Sequence, residues 1–213
     1  MKVDFSAAIF DLDGTLIDSN SVWEKIDRII LQKRGIRCTD DFVRRLTAMT
    51  YEDAAEEMHK LGVKETTEEL IKECNDLAVH EYRHNIFLKE GVRDYLDYLK
   101  KQGVKLAVAT ASPKTLYEPV LRNNHVYSFF DAFCTTDEAG RSKDFPDVYL
   151  RAASKLGVSP AECVVFEDVL KGIISAKNAG MKAVGVYDKY SEEDIITIRT
   201  AADKFIFNFF EMM

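Results

Sequence analysis

Six short apolar runs recur along the chain, at 7–12, 104–109, 132–135, 163–166, 183–186 and 205–207, and stretches of helical periodicity separate most of them. Continuous runs of Val, Ala, Ile and Phe suit strands buried on both faces, and the helices between them suit crossover connections. This alternation predicts an α/β protein built on a doubly wound, Rossmann-like parallel sheet. One interval departs from it. Between 21 and 84 only helical patterns occur, at 22–34, 40–48, 51–61 and 67–83, with Gly35 and Gly62 as stops. An insertion of this kind after the first strand predicts a small all-helical domain that would hang over the end of that strand. The expected division is 1–18 with 88–213 for the sheet domain and 19–87 for the helical insert.

At 213 residues, 46% hydrophobic and 31% charged, the chain is long enough to bury a sizeable core. A net charge of -7 argues against a general nucleic-acid binder, which needs clustered Lys and Arg to hold phosphates. Cys38, Cys74, Cys134 and Cys163 lie far apart with no CxxC pair, so neither a zinc cluster nor a disulfide framework is expected. The N-terminal apolar run is broken by Asp4, unlike a secretory signal, and no segment approaches the ~20 apolar residues that span a bilayer. The expectation is a cytoplasmic monomer with no membrane or nucleic-acid partner.

Ligands of open parallel sheets collect outside the carboxyl ends of the strands, so the polar residues that end each run are informative. The first run ends in Asp11 and Asp13, which point the same way if the backbone stays extended, and Gly14 then lets the main chain turn close to a ligand. The second run ends in Thr110-Ala111-Ser112-Pro113 and the fourth in Glu167-Asp168, while Lys143 precedes a helix signal at Phe145-Pro146-Asp147. Each has a plainer reading. Asp13-Gly14 could turn a hairpin, Thr110 or Ser112 could cap a helix, and a lone Lys143 could be a solvated charge. Four carboxylates at one sheet edge, however, repel one another unless a cation sits among them, and a hard oxygen-ligated ion such as Mg²⁺ is the economical choice. An EF-hand loop fails, since its glycine would fall at Leu16 and its last ligand at Val22, and no GxxxxGK[ST] or GxGxxG motif occurs.

Taken in order, Asp11-Leu12-Asp13-Gly14-Thr15-Leu16, Thr110, Lys143 and Glu167-Asp168 resemble the four signatures of the haloacid dehalogenase superfamily. The helical insert is similar to the cap of its β-phosphoglucomutase-like branch, which also holds many small-molecule phosphatases. The resemblance implies that Asp11 is a nucleophile that becomes an aspartyl phosphate, and that Asp13 protonates the leaving oxygen and then activates water. It implies phosphate contacts at Thr110, Ala111 and Lys143. It implies Mg²⁺ at Asp11, Asp13 and Asp168, with Glu167 binding the metal directly or through water. The chain departs from the family pattern at Asp144, which stands where Pro is frequent and leaves Arg141 as a rival phosphate contact, and at Val169, which stands where Ser or Asn is frequent.

Two markers of the hexose-phosphate mutases are missing: their cap histidine falls at Trp23 and their phosphate-gripping arginine near Tyr51. Water is then the expected acceptor. The expected activity is a Mg²⁺-dependent phosphatase acting on a small phosphorylated metabolite, with Trp23, Met49 and Tyr51 shaping its pocket or packing the cap. A sugar phosphomutase is the alternative enzyme. A phospho-accepting receiver domain is the non-enzymatic alternative, though receivers carry adjacent acids on the first strand and no helical insert.

Overall fold

The structure, a computed structural model, describes residues 3–47 and 49–213, which form two compact units. One runs to Asp18 and resumes at Ile86–Met213; the other is Ser19–Asn85. Ala48, where the sequence reading ends the second helix, lies outside the described residues.

In the larger unit, β1 (Ala7–Phe10), β2 (Lys105–Thr110), β3 (Ala132–Thr135), β4 (Cys163–Glu167), β5 (Lys182–Val186) and β6 (Lys204–Ile206) form one sheet. Its order is β3-β2-β1-β4-β5-β6, and every pairing is parallel. The chain leaves β1 toward β2 on one side and returns to β4 on the other, so the strand order reverses at the β1/β4 junction. A crevice opens at such a switch point, beyond the carboxyl ends of the two strands. In register, Phe10 stands beside both Val108 and Phe166.

Both faces of β1 are covered, which explains its unbroken apolar run. Ala7 and Ile9 belong to the cluster that includes Val148, Tyr149 and Ala152 of the helix Asp147–Leu156 and Ile173 and Ala176 of the helix Leu170–Asn178. Phe10 instead stacks on Phe166 with ring centroids 4.6 Å apart, and Tyr95 and Phe209 pack edge-on or tilted around the pair. Strand boundaries shift slightly from the sequence reading, with β2 one residue later and β4 and β5 each one residue longer than expected. The first strand stops at Phe10, not residue 12, and the last spans Lys204–Ile206, one residue earlier than expected, because Ile206 is its buried residue while Phe207 is exposed.

The smaller unit consists of α1 (Ser21–Lys33), α2 (Asp40–Thr47), α3 (Tyr51–Lys60) and α4 (Thr67–His84). α1 buries Val22, Ile26, Ile30 and Leu31 at helical spacing, α2 adds Val43 and Leu46, and α4 adds Leu70, Ala78 and Tyr82. Thr66 and Glu69 form a reciprocal capping box that starts α4, and Thr50 caps α3 through the Asp53 N–H. Outside the core, Arg34 joins Glu65 and Glu73. All four cysteine thiols are free, and among the described residues no helix is long and apolar enough to cross a membrane.

Candidate active site

The ladder between β1 and β4 continues one residue past the strand, with the Asp11 N–H donating to the Phe166 carbonyl at 2.9 Å. Asp11 is therefore fixed at the mouth of the switch-point crevice. The chain then turns: the Leu12 carbonyl accepts from both Leu16 and Ile17 N–H, and Gly14 adopts φ 81°, which a residue with a Cβ adopts only under strain. This is a loop and not a hairpin turn. It also gives the two acids different surroundings: Asp11 is 5% exposed and bonded to Lys143, whereas Asp13 is half-buried and accepts from Ser112 Oγ at 2.7 Å.

Each supporting group has its own anchor. Thr110 ends β2 and is buried; its Oγ1 accepts the Ser112 N–H at 2.9 Å, and among the described residues no acceptor takes its hydroxyl proton. Thr110 thus organises its own turn, whereas the helix that follows, Lys114–Asn123, has Pro113 at its N-cap position. Ala111 is exposed just past the strand end. Lys143 donates to Asp11 Oδ1 and, at 2.7 Å, to Glu167 Oε1, while Arg141 is exposed and lies over the Phe145 ring. Glu167 is fully buried, accepts from Tyr149 OH at 2.7 Å and receives the Val169 N–H at 3.4 Å. Glu167 therefore holds Lys143 in place.

The oxygens of Asp11, Glu167 and Asp168 lie within 4.8 Å of one another, all three buried. Burial, reinforced by Glu167 and Asp13, pushes the Asp11 carboxyl up to about 7 against the pull of Lys143. Burial and the neighbouring Asp11, Glu167 and Asp188 likewise drive Asp168 well above the carboxylate range. Burial also works against the charge of Lys143, yet Asp11 and Glu167 outweigh it and hold the ammonium above its usual range. The same crowding that favours protons on Asp11 and Asp168 would be relieved by a cation held among these oxygens. The donors are all hard oxygens, so the set fits Mg²⁺ rather than a thiophilic ion.

Six candidate residues thus converge: Asp11, Asp13, Thr110, Lys143, Glu167 and Asp168. Trp23, Met49 and Tyr51 gather separately, around a cavity of ≈ 400 Å³ inside the helical unit. Several contributors were not assigned from sequence. Thr15, fully buried, donates to Asp168 Oδ1 at 3.1 Å, which gives the threonine after Gly14 a positioning task. Lys89 donates to the carbonyls of Gly14 at 2.6 Å and Tyr187 at 2.5 Å and pairs with Asp188 at 3.1 Å, tying the first loop to the end of β5. Gly172 leaves room for Glu167: a Cβ there would stand 2.4 Å from Glu167 Cδ. A glycine inside a helical pattern was the available signal for that contact.

This arrangement can be set beside known proteins. Residues 8–186 match the Haloacid dehalogenase-like hydrolase family. The chain belongs to that family. It is therefore an enzyme of the haloacid dehalogenase-like class, with the α/β core and helical insert expected of its β-phosphoglucomutase-like branch. It is 32% identical over 184 residues to a phosphorylated carbohydrates phosphatase of Thermotoga maritima, covering 84% of this chain and 83% of that protein. It is 31% identical over 188 residues to a β-phosphoglucomutase of Bacillus subtilis, covering 84% and 82% respectively. A solved Thermotoga maritima structure, described as a candidate β-phosphoglucomutase, superposes with a TM-score of 0.85 at 27% identity and 94% coverage of both chains.

Proposed function

We propose that this chain is a Mg²⁺-dependent phosphatase that hydrolyses a small phosphorylated metabolite through an aspartyl phosphate on Asp11. The observation that carries the reading is the pairing of two acids in unlike settings at the switch point, Asp11 beside Lys143 and Asp13 beside Ser112.

In the first half of the reaction an Asp11 oxygen attacks phosphorus as the bond to the leaving oxygen breaks. Asp13 delivers its proton to that oxygen. In the second half Asp13 takes a proton from water, whose oxygen attacks the aspartyl phosphate and frees Asp11 and inorganic phosphate. A carboxylate is a weak nucleophile, so alignment is decisive, and positioning of this kind is worth about 7–11 kcal/mol. Lys143, oriented by Glu167 and Tyr149, is suited to stabilise charge on the transferring group, with Thr110 and the Ala111 segment holding its other oxygens. Asp11, the Asp13 main-chain carbonyl and Asp168 would hold Mg²⁺, which supplies charge neutralisation between nucleophile and phosphoryl oxygens. Both oxygens of Glu167 are engaged by Lys143, Tyr149 and Val169, which favours an orienting task for it over direct ligation.

Similarity to the Bacillus subtilis mutase keeps phosphoryl transfer to a sugar as the rival reading. Trp23 and Tyr51, at the positions where the resemblance puts the mutase markers, favour water as acceptor. The test is a panel of phosphorylated metabolites assayed for phosphate release with and without Mg²⁺, using wild type, Asp11→Asn and Asp13→Asn. Release that depends on Mg²⁺ and is lost in both variants supports the proposal. A phosphate-transfer product without net release would replace it with the mutase reading.

A further inference from the structure

The cavity of ≈ 400 Å³ inside the helical unit falls in the range of small-molecule sites, about 300–1,000 Å³. Its wall includes Trp23, Asp27, Thr47, Met49, Tyr51 and Glu52, and among the described residues no lysine, arginine or histidine lines it. Asp27 is the unusual member. It sits on the buried face of α1, one turn from Trp23, and is only 8% exposed. Thr47 Oγ1 donates to its Oδ2 at 2.6 Å, and among the described residues no group donates to Oδ1. The charged and titratable groups facing it are Glu24 on its own helix, Tyr51 on α3 and Cys74 on α4; Lys25 and Arg28 are engaged by Glu81 and Asp40 instead. Burial pushes the Tyr51 phenol up to about 12 and the Cys74 thiol up to about 12, so both are neutral at ordinary pH. Burial raises the Asp27 carboxyl to about 6, which leaves it largely ionised at neutral pH.

A buried carboxylate without a cation is costly unless a ligand supplies one. The other walls fit that ligand. Trp23 and Tyr51 meet at 65° with ring centroids 6.4 Å apart, forming an aromatic corner, and Met49 adds a polarisable thioether. Ring faces attract cations within about 6 Å, tryptophan most strongly. A second phosphate or a carboxylate would instead meet Asp27 and Glu52 with no basic group to receive it.

We propose that this cavity binds an organic ammonium group, with Asp27 as counter-ion and Trp23 and Tyr51 as its aromatic walls. Trp23 is the chain's single tryptophan, so its fluorescence reports the cavity directly. The experiment titrates the full chain with choline and with dimethylbutanol, its neutral isostere, and repeats both on Asp27→Asn. Saturable binding of choline at least about tenfold tighter than the isostere, with the preference lost in Asp27→Asn, is the expected result. Equal affinities in the wild type, or an undiminished preference in Asp27→Asn, would overturn it. Hydrolysis of phosphocholine and of hexitol phosphates separates the two readings. Phosphate release from esters of neutral polyols with no choline preference in the titration sinks this inference alone. Choline binding without release from any ester sinks the phosphatase reading and leaves the ammonium site standing.

Discussion

Replacing Gly172 by alanine sets two effects against each other. Alanine is favoured over glycine within a helix by about 1 kcal/mol, and Gly172 lies inside the helix Leu170–Asn178 with no positive φ that would penalise a side chain. Propensity alone therefore predicts a stabilised variant. A Cβ at this position, however, would stand 2.4 Å from Glu167 Cδ and 2.6 and 2.7 Å from its two oxygens. Glu167 cannot withdraw, because it is fully buried and held by Lys143 and Tyr149. Overpacking costs about 1–3 kcal/mol, and a displaced carboxylate weakens charged hydrogen bonds worth about 1.5–3 kcal/mol each. The net expectation is a loss of about 2–4 kcal/mol, read by scanning calorimetry as a fall in Tm of about 5–15 °C. Steady-state kinetics should show kcat reduced by about tenfold or more, as Lys143 loses its orienting partner. A Tm at or above wild type together with full kcat would show that Glu167 relaxes freely, and the account of how Lys143 is positioned would fail.

Lys89→Met removes the ammonium that ties the Gly14 and Tyr187 carbonyls to Asp188, whose side chain is 3% exposed. Breaking a buried pair of this kind costs about 3–5 kcal/mol, and urea denaturation should show that loss together with a reduced kcat; an unchanged midpoint would contradict the tie. Asp27→Asn should change stability in a pH-dependent way. The folded-state carboxyl is raised to about 6, so protonation favours the fold fully below the unfolded value and the advantage is lost as pH rises through 6. The ionised carboxylate thus costs the wild type about 3 kcal/mol at neutral pH, and the variant should be more stable there by up to that amount, with the gain vanishing near pH 4. A gain that is the same at both pH values would refute the assignment of a charged Asp27.

Much of the sheet was legible because a doubly covered strand has no polar side to disguise it. The apolar runs located β1 to β5, and the polar residues that end them pointed to Asp11, Thr110 and Glu167-Asp168. The turn after Phe10 was not legible. Leu12 continues the apolar pattern, and only the paired hydrogen bonds to its carbonyl show that the strand has already ended, which is why Asp11 and Asp13 have unlike partners. Tyr149 and Lys89 were missed because nothing local marks a buried hydroxyl or ammonium whose acceptors lie far off in sequence. Asp188 and Asp27 did leave signals. Asp188 follows the apolar run of β5 just as Asp168 follows that of β4, and Asp27 is an acid on the same helical face as Ile26 and Ile30, where a solvated charge would not be placed.

The most direct test of the central claim is the mass of peptides from enzyme quenched in acid during turnover. The account predicts one phosphoryl group on the peptide that contains Asp11, absent in Asp11→Asn, which also releases no phosphate. Phosphate release by Asp11→Asn at the wild-type rate, or a phosphoryl group found on any other residue, would contradict it.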